Sequence, residues 1–164
     1  MGAMLNRARL AITLAIAVAA AFAAVGFAST SQGSGHVREL KAFVVATAST
    51  QVDVDGDGKF SVGDEVIGQA TDYDRRGGTR IGTGTFVCVV VDATAGNFDC
   101  QGSDVLAGGE IREAGQALGS DPTHVRWAIT GGTGKYMGIG GQIDGTFTNA
   151  QLTEADFTFT ILRH

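Results

Sequence analysis

The chain has 164 residues, with 12 Lys and Arg against 17 Asp and Glu, a net charge of −5, and 25 glycines against one proline. An acidic balance with no basic cluster beyond Arg75-Arg76 argues against nucleic acid and anionic membrane surfaces as partners, because both require concentrated Lys and Arg. The length suits one domain with a real core, and glycines scattered between β-branched runs predict turns, bulges and barrel corners rather than helices.

In chain order, the first element is a leader. Arg7 and Arg9 make a positive n-region, Leu10 to Val25 is apolar and rich in alanine, and Gly26-Phe27-Ala28 places small residues at a signal-peptidase site. Residues 1–28 are expected to be a signal peptide, removed after Ala28, which sends the protein to the periplasm, the cell surface or the medium. The alternative is a retained membrane anchor, since about 20 apolar residues span a bilayer. Only in that case is a membrane expected as a partner. Residues 29–38 read as a linker and 39–164 as a β domain.

Eight strand-like segments follow: Glu39–Thr50, Glu65–Asp74, Thr79–Val91, Asn97–Leu106, Glu110–Leu118, His124–Thr130, Gly140–Thr148 and Leu152–Leu162. Most connections are short and carry turn chemistry, such as Arg75-Arg76-Gly77-Gly78 and Ala107-Gly108-Gly109. A meander of this kind loses both open edges by closing, so an all-β, eight-stranded antiparallel up-and-down barrel is expected. Such a barrel is wide enough to be filled by side chains or to hold one small ligand. An immunoglobulin-like sandwich would require long crossovers that the spacing does not provide.

The cysteines test one hairpin. If Val91 and Asn97 flank the turn, Cys88 falls opposite Cys100, Val90 opposite Phe98, and Phe86 opposite Gly102, where an aromatic ring can cover the glycine. A disulfide between Cys88 and Cys100 in an exported protein contributes about 3 kcal/mol in the chain-entropy model. The same alternation turns Val87, Val89 and Val91 outward, and an exposed valine row predicts a homo-oligomer, dimer or trimer, or cover by a loop.

Two longer connections remain, 51–64 and 131–139. In the first, Asp53, Asp55, Asp57, Lys59, Ser61 and Asp64 occupy the ligand positions of an EF-hand loop, with Gly58 at its sharp turn. Lys59 would offer only its backbone carbonyl. Asp64 stands where a longer glutamate is usual, and the flanks are strand-like, so the loop reads either as a structural calcium site or as a solvated acidic turn. In the second, Gly134-Lys135 suggests a phosphate loop, but Ile129 replaces the required first glycine and Tyr136 the magnesium-binding hydroxyl. No serine, histidine or metal-hydrolase constellation is present.

The run Trp127-Ala128-Ile129-Thr130-Gly131-Gly132-Thr133-Gly134-Lys135-Tyr136, then Gly138, Gly140 and Gly141, and the closing Ala155-Asp156-Phe157-Thr158-Phe159 resemble the allene oxide cyclase-like and dirigent-like barrel superfamily. Gly63-Asp64-Glu65, the Tyr73-Asp74 and Gly77-Gly78 turn, Gly82, Gly84 and Leu106-Ala107-Gly108-Gly109-Glu110-Ile111 extend the likeness over residues 53–162.

The resemblance implies a barrel, often trimeric, that binds an apolar small molecule. Plant members cyclise an unsaturated epoxide or steer phenoxy-radical coupling, and bacterial ones promote cycloadditions. Positioning alone supplies roughly 7–11 kcal/mol to a well-oriented intramolecular reaction. The expected activity is therefore cyclase- or isomerase-like, with no cofactor for the chemistry. Many relatives carry an acid in the strand occupied here by Gly68, Gln69, Ala70 and Thr71. The polar candidates are Asp72, Tyr73, Glu113, Arg126 and Tyr136, and the expected cavity lining is Phe86, Phe98 and Trp127. A non-catalytic exported binding barrel is the alternative, and an open or filled interior separates the two first.

Overall fold

A computed structural model describes residues 36–163, so the expected leader and most of the linker lie outside the described residues. Eight strands, β1 (His36–Val52), β2 (Glu65–Tyr73), β3 (Arg80–Asp92), β4 (Asn97–Leu106), β5 (Gly109–Ala117), β6 (His124–Gly132), β7 (Ile139–Phe147) and β8 (Glu154–Arg163), pair antiparallel in sequence order. β8 pairs back onto β1, from His36 with Arg163 to Val45 with Glu154, and the barrel is closed. Every strand then has two neighbours, which removes the unpaired edge of an open meander.

Most boundaries differ from the expected ones by one to three residues, and two of the shifts have clear local reasons. β1 begins at His36 rather than Glu39 because β8 extends to Arg163 and supplies its ladder partner. β8 begins at Glu154 rather than Leu152: Asn149 Oδ1 accepts the N–H groups of Thr153 (2.9 Å) and Glu154 (3.2 Å), and Leu152 has φ 55°, so the segment is held as a turn.

In the β3–β4 hairpin Cys88 faces Cys100, Val90 faces Phe98 and Phe86 faces Gly102, and the two sulfurs are bonded. The expected cover of Gly102 by Phe86 does not form. Phe86 has a glycine opposite it on both sides, Gly68 in β2 and Gly102 in β4, and its ring lies over Gly68. The space above Gly102 is occupied by the carboxyl of Glu113. Val87 and Val91 are exposed as alternation requires, and Val89 is half-buried.

The barrel interior divides into two halves. At the end bearing the β2–β3, β4–β5 and β6–β7 turns, Leu106, Ile111, Ile129, Ile139, Ile143 and Phe159 form a packed plug. Each fully buried Phe or Ile of this kind contributes about 1.5–3 kcal/mol. Tyr136, carried on the 3-10 turn Gly134–Tyr136, is inserted into that plug. Gly134 has φ +57°, and a side chain there would collide with the Gly108 carbonyl. The glycine-dense connection is thus a bottom cap, tied to the β4–β5 turn by Lys135 N–H donating to Gly108 O (2.8 Å). In the other half Cys100, Val125 and Trp127 are buried in the wall but do not fill the centre.

Candidate functional site

The unfilled half is a cavity of about 370 Å³. It opens between the β3–β4, β5–β6 and β7–β8 turns, represented in its lining by Gly96, Pro122 and Leu152. That size lies at the small end of the roughly 300–1,000 Å³ range of small-molecule sites. The walls are aromatic: Phe86, Phe98, Trp127, Phe147 and Phe157, with the Cys88–Cys100 disulfide between them. Alternation explains the set. On β6 the buried residues are Val125, Trp127 and Ile129, so period two turns all three inward and sets Arg126 and Ala128 outside. Trp127 Nε1 donates to Gln116 O (3.0 Å), leaving its ring as a purely apolar surface toward the cavity.

Three carboxyl groups share the interior. Asp72 on β2, Asp104 on β4 and Glu113 on β5 are all buried, at 1%, 5% and 7% exposure. Each sits across from a glycine on the neighbouring strand: Asp72 from Gly82, Asp104 from Gly84, Glu113 from Gly102. In every case the carboxyl lies over that glycine, in the space its missing side chain leaves. Asp104 and Glu113 line the cavity. Asp72 does not, and together with Leu106 it closes over Gly82.

Among the described residues no N–H group and no Ser, Thr or Tyr hydroxyl donates to either oxygen of Asp72, to Asp104 Oδ2 or to Glu113 Oε2. Burial without donors disfavours the charged form. It raises Glu113 to about 8, with the charges of Asp72 and Glu110 adding to the effect. Asp104 is raised well above the carboxylate range by burial, then by the neighbouring Glu113 and Asp72. Asp72 is raised to about 6 by burial, opposed by the Arg80 guanidinium and by a hydrogen bond from Asp104. At neutral pH the cavity floor therefore presents the protonated carboxyl of Glu113, a hydrogen-bond donor, beside an Asp104 carboxyl that is hydrogen-bonded to Asp72.

The other residues singled out in the sequence are spread apart. Of the five polar candidates, only Glu113 faces the cavity, and Asp72 is buried behind it. Tyr136 is in the plug at the closed end. Arg126 is on the outer surface, paired with Asp144 at 2.6 Å, and Tyr73 ends β2, half-buried and outside the cavity lining. Phe86, Phe98 and Trp127 are in the cavity wall. Asp104 was missed. Its signal was available, since it follows Cys100 by an even number of residues on the same strand and shares its inward face.

The 53–64 loop is at the mouth end. Asp53, Asp55 and Asp57 bring carboxylate oxygens within 4.8 Å of one another. Gly56 (φ 76°) and Gly58 (φ 74°) turn their N–H groups onto Asp53 at 2.7 and 2.8 Å, and the Gly58 N–H chiefly holds that carboxyl below its usual range. Ser61 Oγ donates to Asp55 (3.2 Å), and the Lys59 N–H donates to Asp57 (2.7 Å). Asp64 is apart from this cluster. It is buried, and its two oxygens accept the N–H groups of Val54 (2.9 Å) and Ser61 (2.7 Å), clasping the two ends of the loop. Phe60 packs on the cavity-lining Phe98 with ring centroids 5.8 Å apart.

No protein-family model and no curated protein matches the sequence. Solved structures do match the barrel. The pterocarpan synthase dirigent protein GePTS1 is 12% identical, with 86% of this chain and 99% of that one covered and a TM-score of 0.66. A pyocyanin demethylase is 21% identical over 76% and 99%, with a TM-score of 0.63. The Diels–Alderase AbmU from Streptomyces koyangensis is 14% identical over 81% and 70%, with a TM-score of 0.61. The closed meander, its strand order and these likenesses together give this chain the fold of the dirigent-like β-barrels.

Proposed function

We propose that the barrel binds an apolar small molecule in its half-open cavity and templates ring closure or stereocontrolled coupling of that molecule. The observation that carries this reading is an aromatic-walled cavity of about 370 Å³ with the carboxyls of Glu113 and Asp104 in its lining. The walls restrict a flexible chain to folded conformers, an entropic contribution of up to roughly 7–11 kcal/mol when the geometry is right. A protonated carboxyl aimed at developing negative charge adds electrostatic stabilisation in a site with little competing water. The dirigent and Diels–Alderase barrels of the same fold support this choice over mere carriage.

The test uses a linear triene ketone that cyclises slowly in buffer. The barrel is expected to accelerate closure and to bias the stereoisomer ratio, and Trp127→Ala to lose the bias. Saturable binding with the buffer ratio unchanged would leave a binding protein and remove the template.

Three attributes accompany this reading. The approach of the Asp53, Asp55 and Asp57 carboxylates supports a structural calcium ion in the mouth loop. Ile67 and Val87, exposed and opposite each other across β2 and β3, support self-association as a dimer or trimer, which sedimentation as a monomer at high concentration would remove. The leader sequence and the Cys88–Cys100 bond support export, testable by N-terminal sequencing of the protein recovered outside the cytoplasm.

A further inference from the structure

We infer that the ligand is an uncharged aromatic or conjugated molecule whose one polar end is a hydrogen-bond acceptor, a carbonyl oxygen or an imine-type nitrogen, inserted first, and that carboxylate-bearing molecules are rejected. This rests on the cavity being the binding site, as proposed above, and adds the chemistry that selects what enters.

The argument is an inventory of the cavity's polar groups. Among the described residues that line it there is no Lys, Arg or His. An anionic ligand would leave water without a counter-ion to replace its hydration. Its charge would also approach Asp104 and Glu113, with Asp72 behind them. Donors are as restricted as cations. The Trp127 N–H is held by Gln116 O, Thr85 is exposed and its hydroxyl is shared with Ser103, and Thr153 is exposed. Ser49 and Gln151 are exposed at the rim.

Inside, the donor left is the protonated carboxyl of Glu113, which lines the cavity and whose Oε2 lacks any partner among the described residues, whereas the Asp104 carboxyl is hydrogen-bonded to Asp72. An acceptor on the ligand satisfies Glu113, and a hydrocarbon end leaves it unsatisfied. The ionisable groups acting on Glu113 are Asp72 and Glu110, while Glu113 acts on Asp104 and Arg80 acts on Asp72. All but Arg80 are acids, so the environment offers nothing to an entering anion.

The experiment is a fluorescence titration at pH 7 with three naphthalenes of one shape: 2-acetylnaphthalene, 2-isopropylnaphthalene and 2-naphthoate. The ketone is expected to bind about tenfold more tightly than the hydrocarbon, the gain of one buried hydrogen bond, and the naphthoate not to saturate. Replacing the donor (Glu113→Met) should bring the ketone and hydrocarbon to equal affinity. If that variant does not fold, the wild type carries the same test, because the preference should shrink as pH rises past 8 and Glu113 ionises. Equal binding of ketone and hydrocarbon, or naphthoate binding as tightly as the ketone, overturns the inference while leaving a cavity that binds. No binding of any of the three overturns the binding reading, and the inference with it.

Discussion

Gly102 lies directly opposite Glu113 across β4 and β5, and the Glu113 carboxyl fills the space that a side chain at position 102 would take. The same relation joins Gly84 to Asp104 and Gly82 to Asp72. Three glycines on two adjacent strands thereby make room for three acids inside one barrel.

Replacing Gly102 with alanine should cost about 1–3 kcal/mol, the usual range for overpacking a fitted interior. It should also displace the carboxyl from the cavity floor. Urea denaturation measures the first effect. Gly68→Ala, which would strike the ring of Phe86, serves as a comparison without a carboxyl. A Gly102→Ala protein as stable as wild type would mean the carboxyl is free to move aside.

The buried acids predict a particular pH dependence. Glu113 is raised from 4.5 to about 8 and Asp72 from 3.8 to about 6, so between these limits the folded state holds protons that the unfolded state has released. Stability contributed by the neutral acids is complete below about pH 4 and falls as pH rises, through about 6 for Asp72 and about 8 for Glu113. The expected loss is on the order of a few kcal/mol. Thermal melts should give a higher Tm at pH 5 than at pH 8.5. Glu113→Gln should flatten the curve and raise the Tm at the alkaline end. A rising Tm across this window would contradict the placement of these groups.

Removing the Cys88–Cys100 bond should destabilise the barrel by about 3 kcal/mol, because the crosslink restricts the unfolded chain. The comparison is the Cys88→Ala and Cys100→Ala double variant against the oxidised protein in denaturant. The bond also lies in the cavity wall, so binding of an apolar probe should weaken in the same variant.

Calcium at millimolar concentration should raise the Tm if the Asp53, Asp55 and Asp57 loop holds it. Asp55→Asn should abolish the shift. Its carboxylate accepts from Asp57 N–H and Ser61 Oγ within the loop, so the variant's melt without calcium is the necessary baseline. An unchanged melt in the wild type would leave an acidic turn with Asp64 as its clasp.

The strands were legible because each is bounded by turn residues and alternates with period two. The register of β3 on β4 was legible because two cysteines placed on facing strands admit few pairings. Arg126 and Tyr136 show where that reading stops. Both stand out as polar residues near a distinctive glycine-rich run. The neighbours of Arg126 on β6 decide that it faces solvent, and the cap onto Gly108 decides that Tyr136 enters the plug rather than the cavity.

What the sequence determined by itself is the set of strands, their order, the closed β architecture and the pairing of Cys88 with Cys100, since these depend on local alternation, turn chemistry and short loops. The tertiary structure alone decided that Phe86 covers Gly68 instead of Gly102, that one half of the interior is plugged and the other open, and that Asp72, Asp104 and Glu113 meet inside it. Those outcomes depend on which of two facing glycines a ring leans over and on contacts among several strands. Such choices are made by competition for the same space, which no single segment of the chain encodes.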